Sequence, residues 1–228
     1  MIFQFNMRKY GNSGYFRYYA VPLHRTLHKI KDLNNNVNNN DNSHSLDKAI
    51  SRAKSTIRDL ALSNDFNYFG TMTFDKELVD RFNISDICDL LKVTFKAYKR
   101  KYNDFKYLYI LEKHKNGAYH LHGLFSGLGD LYINQYGYFN SSFFQQKLGK
   151  VNSFSTIKHK GRTANYITKY ITKDCIRSPT RQLYFCSKGL ERSKVFKCVY
   201  VDNLVEKLKF VNDYCMLYDF YKGDNKNV

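Results

Sequence analysis

Tyr166 and Tyr170 stand four residues apart in "NYITKYITKD" (165–174), and each is followed three residues later by a lysine, Lys169 and Lys173. On a helix such positions share a face, so two phenols and two ammonium groups would project together. That is the equipment of paired nucleophiles. A phenol is a poor nucleophile while protonated, and nearby cations favour its phenolate. Lys169 and Lys173 would supply that charge, or steady a pentavalent phosphorus. The plainer alternatives are tyrosines at the margin of a core and lysines on a solvated face. Ile167 and Ile171, with Ala164, form a separate apolar stripe, so the helix has a core face without the tyrosines.

A second set lies upstream. In "HLH" (120–122) the two-residue period of a strand sends His120 and His122 to one face. The preceding strand offers Glu112 and His114. A two-residue loop at Asn116-Gly117 would oppose Glu112 to Leu121, on the wrong face. An odd loop, or a bulge at Gly117, would oppose Glu112 to His122 and His114 to His120. The odd loop is the expected one. A carboxylate with two imidazoles leaves coordination positions open, which suits a divalent ion gripping a phosphate oxygen. His114 is a further candidate, as ligand, outer partner or solvated side chain. Ligand softness alone does not separate Mg2+, Mn2+ and Zn2+.

The whole composition agrees with a phosphate-bearing partner. Lys and Arg number 37 against 20 acidic residues, a formal charge of +17, with 20 Tyr and 18 Phe. Basic charge binds phosphates and aromatic rings stack unpaired bases, so nucleic acid is the expected partner. AT-rich coding would explain the residue types but not the sign of the charge. There is no apolar run long enough to span a membrane and no charged-then-apolar signal pattern at the N-terminus, so a cytoplasmic chain is expected. Cys88, Cys175, Cys186, Cys198 and Cys215 include no C-x-x-C pair and read as reduced thiols. No P-loop pattern occurs.

The elements that must position these groups follow from periodicity. "LNNNVNNNDNSH" (33–44) is read as a flexible loop closing an N-terminal segment, 1–44. Helices are expected over 46–62 with Ser45 as cap, from Ser85 to about Tyr102, over 140–149, and from about Thr163 to Asp174. Strands are expected at 67–75, in a hairpin over 106–127, at 154–159, and in 182–190 and 194–202. A last helix is expected from Asn203 to about Tyr221. Helices interleaved with a hairpin give an α+β domain, an antiparallel sheet covered by helices on one face.

The order of the motifs resembles the HUH endonucleases, the rolling-circle replication initiators of small phages and plasmids. "FGTMTFD" (69–75) looks like their first, strand-borne motif, "EKHKNGAYHLHGLF" (112–125) like the metal motif, and "YITKYITKD" (166–174) like the nucleophile motif of the two-tyrosine initiators of single-stranded-DNA phages. "YFCSKGL" (184–190) is similar to a stretch downstream in phage and plasmid relatives. The resemblance covers roughly 45–195, leaving 196–228 as a helical segment packed on the same domain.

It implies a ferredoxin-like or RRM-like fold, and Mg2+ or Mn2+ held by Glu112, His120 and His122. It implies nicking of single-stranded or melted origin DNA by one tyrosine, which keeps the 5′-phosphate and frees a 3′-OH primer. The other tyrosine then cleaves the regenerated origin, and rejoining releases a circle. Thr71, Thr73, Lys158, Lys160 and Arg162 are the expected DNA contacts. Host helicase and DNA polymerase are the expected partners, in the cytoplasm of a bacterial cell. Two alternatives stand beside this: a relaxase or single-tyrosine transposase of the same superfamily, and a non-catalytic RRM-like nucleic-acid-binding module.

Overall fold

The computed structural model describes residues 3–11, 15–22, 42–149, 151–172, 182–197, 208–212 and 215–221. In chain order the elements begin with β1 (Phe3–Tyr10), β2 (Tyr15–Pro22), α1 (Asn42–Ser63), β3 (Tyr68–Thr73), α2 (Ile84–Lys101), β4 (Lys106–Lys113) and β5 (Tyr119–Ser126). They continue with β6 (Leu131–Ile133), β7 (Phe139–Ser141), α3 (Ser142–Leu148), β8 (Val151–Thr156) and α4 (Lys160–Ile167). A 3-10 turn over Thr168–Tyr170, then β9 (Phe185–Cys186), β10 (Lys194–Lys197), β11 (Leu208–Asn212) and β12 (Cys215–Tyr221) complete the order. The chain divides into two compact units.

The larger unit, Asn42–Ala61 with Asp65–Leu190, carries a seven-stranded sheet in the order β6-β7-β8-β3-β5-β4-β9. Every recorded pairing in it is antiparallel. The α+β class with an antiparallel sheet is as the sequence led us to expect. One face carries Met72, Tyr109, Leu121, Phe125 and Phe154, packed with Ile87, Leu91, Phe95 and Tyr98 of α2 and Phe144 and Leu148 of α3. Phe95 alone makes edge-on ring contacts with Phe105, Tyr109 and Phe125. Gly70 and Gly123 oppose each other on β3 and β5, and a Cβ on Gly70 would come within 2.7 Å of the Phe154 ring. These glycines let the aromatic rings lie against bare backbone.

Asp130 ties this layer together. Its carboxylate accepts from Tyr98 Oη (2.5 Å), Ser141 Oγ (2.8 Å) and the Phe143 N–H (2.8 Å), joining α2 to the first turn of α3. Burial pushes its carboxyl up, but the hydrogen bonds from Tyr98, Phe143 and Ser141 outweigh burial and hold it below the ordinary carboxylate range. A depressed folded pKa gives stability that is present above the unfolded pKa and is lost as pH falls through the folded one. Asp130→Asn is therefore expected to lower unfolding stability by about 1–3 kcal/mol at neutral pH. In urea melts the difference from wild type should shrink as the pH drops below ~4.

The smaller unit, Met1–Asp41, Leu62–Asn64 and Glu191–Val228, has a five-stranded antiparallel sheet in the order β10-β1-β2-β12-β11. Over its described residues the helix expected from Asn203 to Tyr221 is not formed. Leu208–Asn212 and Cys215–Tyr221 are strands, and β12 pairs along β2 from Met216↔Ala20 to Tyr221↔Tyr15. The local Lys- and Leu-rich composition favours a helix, but a waiting partner strand overrides propensity.

Other boundaries shift. α1 starts at Asn42, so 42–44 of the Asn-rich stretch are its first turn, while 33–41 lie outside the described residues. α2 is capped by Asn83, whose side chain accepts from Ser85 N, rather than by Ser85. The tyrosine helix starts at Lys160 and tightens to a 3-10 turn that ends at Tyr170, with Ile171 extended. Lys173 and Asp174 lie outside the described residues.

Candidate active site

The site is built on the sheet face opposite the α2 core. Alternation on β5 presents His120 and His122 on that face, and alternation on β3 presents Phe69, Thr71 and Thr73 beside them. Thr71 opposes His122 and Thr73 opposes His120. The hydroxyls meet the rings: Thr71 Oγ1 lies 3.3 Å from His122 Nδ1, and Thr73 Oγ1 lies 3.2 Å from His120 Nδ1. A hydroxyl both donates and accepts, so each threonine serves either imidazole tautomer and keeps Nε2 facing outward. These threonines, expected as DNA contacts, are placed where their hydroxyls orient the histidines.

Glu112 reaches the same face because the hairpin loop is odd. Its three residues, Lys115–Gly117, are closed by His114 N–H to Ala118 O (2.9 Å) and Gly117 N–H to His114 O (2.9 Å), with Gly117 at φ +90°. That is the three-residue hairpin whose last position needs a left-handed glycine. The register differs from expectation by two residues: Glu112 opposes His120, and Ile110 opposes His122. The face is the same because the slip is even. Glu112 reaches diagonally to His122, with Oε2 2.8 Å from Nε2. His114 Nε2 lies 3.9 Å from the same oxygen, and its ring stacks on His120 with centroids 3.9 Å apart.

The four polar residues expected to converge are together. Among the described residues, however, no group of three His, Cys, Asp or Glu side chains is set up to hold an ion. Glu112 and His122 are closed on each other by their hydrogen bond. Two features fit a divalent ion nonetheless. The 2.8 Å separation is close to that of adjacent donors around an ion with ~2.1 Å bonds, about 3.0 Å. Burial, followed by the charge of His114, pulls His120 down; burial also pulls His122 down despite the opposing Glu112 carboxylate. Both shifts favour the neutral imidazole, the form that donates to metal.

The tyrosine helix lies over these histidines. Ala164, Ile167 and Ile171 are its buried stripe, and Asn165 Oδ1 accepts from Arg58 Nε (2.6 Å), fastening α4 to α1. The phenols take the remaining face. Tyr170 stacks on His122 with centroids 3.7 Å apart and planes 7° from parallel. Its hydroxyl donates to the Tyr166 hydroxyl at 2.8 Å. Burial first, then Tyr166 and the Glu112 charge, push the Tyr170 phenol above the usual tyrosine range. Tyr166 is 44% exposed and packs edge-on against Phe69, whose own ring lies alongside His122. Lys169 Nζ lies 5.2 Å from the centre of the Tyr166 ring.

Of the expected basic contacts, Lys160 is paired with Asp65 (2.8 Å), while Lys158 and Arg162 are exposed. Two residues escaped sequence reasoning. Phe69 was legible in principle, since it alternates with Thr71 and Thr73. Arg81 was not. Its carbonyl accepts from Tyr119 N (2.9 Å), its charge bears on His120, and its Nε is buried with no hydrogen-bond partner.

Residues 67–175 match the family model of the ORF2 type of replication-associated protein, a span that takes in β3, the histidine strand and both tyrosines. No curated protein and no solved structure matches the chain. Among the described residues no helix is long and apolar enough to cross a membrane.

Proposed function

We propose that this chain, across residues 67–175 a rolling-circle Rep-type replication-associated protein, nicks and rejoins single-stranded or melted origin DNA through a phosphotyrosine. The observation that carries this reading is the stacking of Tyr170 on His122, which sets two hydrogen-bonded phenols beside the Glu112–His122 pair. Glu112, His120 and His122 would hold Mg2+ or Mn2+, which when bound polarises the scissile phosphate.

A tyrosine oxygen then forms a bond to phosphorus as the bond from phosphorus to the 3′ oxygen breaks. The leaving oxygen takes a proton and becomes a 3′-OH primer, and the 5′-phosphate stays on the tyrosine. One phosphodiester replaces another, so the step is reversible and a later 3′-OH can reclaim the strand. Two tyrosines let one site hold a 5′ end and still cut again. Arg81, whose charge bears on His120, and Lys169, beside the Tyr166 ring, would offer positive charge to the phosphate oxygens. A host helicase and DNA polymerase in a bacterial cytoplasm would unwind the duplex and extend the primer.

The test is incubation of the full chain and Mg2+ or Mn2+ with single-stranded oligonucleotides tiled across its replicon, followed by mass spectrometry of peptide–DNA adducts. The expected adduct sits on the peptide holding Tyr166 and Tyr170. Oligonucleotide binding with no metal-dependent adduct anywhere in the tiling would instead favour a non-catalytic RRM-like binder.

A further inference from the structure

The second hairpin of the sheet, β6–β7, repeats the loop design of the first. Its loop, Gln135–Gly137, ends on a glycine at φ +80°. Asn134 fixes it. Its Oδ1 accepts from Tyr136 N (2.9 Å) and Tyr138 N (3.0 Å), and its main chain exchanges bonds with Tyr138 O and Gly137 N, both 2.9 Å. A loop so held is a rigid mount, and what it mounts is aromatic and solvent-facing: Tyr136 is 74% exposed and Tyr138 58%. Ile133 beside them is 64% exposed. Exposed rings on a fixed hairpin lose little entropy on binding.

The charge of the sequence that follows Asp130 points to the occupant. From Leu131 to Lys173 the sequence contains no Asp or Glu, and every charged side chain in that stretch is Lys or Arg. The hairpin also belongs to the same sheet as the histidines. β7 is three strands from β5 and β6 is four, which at strand spacing is about 14–19 Å, a reach of a few nucleotides.

The geometry points to this hairpin as a stacking platform: Tyr136 and Tyr138 receive unpaired bases of single-stranded DNA a few nucleotides from the cut. The inference rests on the DNA-nicking reading above and adds a base-binding surface outside the catalytic residues. Rings recognise the faces of bases, so the contact is tolerant of sequence.

The experiment uses the full chain, a fluorescently labelled oligothymidine and EDTA, read by anisotropy. Tyr136→Ala with Tyr138→Ala should weaken binding by about tenfold or more, with the slope of log Kd on log salt unchanged. Tyr136→Phe with Tyr138→Phe should bind within about twofold of wild type, since the ring and not the hydroxyl is used. Unchanged thermal unfolding of both variants confirms intact folding, as expected at positions this exposed.

An alanine pair that binds like wild type would overturn the inference and leave the nicking proposal standing. A phenylalanine pair as weak as the alanine pair would overturn it in favour of hydroxyl contacts. Loss of self-association in the alanine pair without loss of DNA affinity would assign the surface to a second copy of this chain. Wild type that fails to bind the oligonucleotide at all would remove the DNA reading itself.

Discussion

Glu112→Gln is expected to reduce origin cleavage by about 10²-fold or more in Mg2+ or Mn2+, while changing oligonucleotide affinity in EDTA by less than about twofold. The substitution keeps the side-chain shape and an oxygen that can still accept from His122 Nε2, now 2.8 Å away. What it removes is the one carboxylate among the polar groups gathered on that face. His120 and His122, whose neutral forms burial favours, would remain as donors, and neutral donors alone hold a hard divalent cation weakly. The loss should be partly recovered by raising the metal concentration, because the defect is in occupancy. Thr73→Val should give a smaller loss of the same kind, since it frees His120 Nδ1 from its 3.2 Å hydroxyl contact. A Glu112→Gln variant that cleaves at the wild-type rate at limiting metal would remove this residue from the site.

How much of that site the sequence disclosed depended on which period governed each residue. His120 and His122 share a face by the two-residue period of a strand, whatever they pair with. Glu112 joins them through loop parity, which Asn116-Gly117 made readable, but the register within that parity was not. The loop closes after three residues because Asn116 Oδ1 accepts from Ala118 N (3.1 Å) and Gly117 adopts φ +90°. A longer odd loop would have satisfied the same pattern. The tyrosine face followed from the helical period, whereas the helix end did not, since no Gly or Pro stands between Arg162 and Ile171. The pairing of β12 with β2 joins opposite ends of the chain. A single sequence marks no such partner, so β12 resembled a helix until its neighbour was known. Arg81 belongs to neither period; its relevance comes from a buried nitrogen without an acceptor.

The two tyrosines are expected to divide the work unequally. Tyr170 lies flat on His122, donates its proton to Tyr166, and is held protonated by burial and by the neighbouring Tyr166 and Glu112. Tyr166 is the outer phenol, 44% exposed, with its oxygen accepting that hydrogen bond and the Lys169 ammonium 5.2 Å from its ring centre. An attacking oxygen must be reachable, so in the proposed nicking reaction the first attack is expected to fall to Tyr166, the more exposed phenol. Tyr166→Phe should slow the first cut by about 10²–10³-fold in single-turnover assays, with any residual adduct on Tyr170. Tyr170→Phe should still form the first adduct, slowed by less than about tenfold through the lost hydrogen bond. It should fail at the second cleavage, so that no circle is released and the 5′ end stays on the protein. The double variant should give no adduct. First-cut rates that are equal for the two single variants would mean that the phenols exchange roles freely and that burial of Tyr170 does not set the order. Burst-phase adduct formation mapped to each tyrosine separates these outcomes directly.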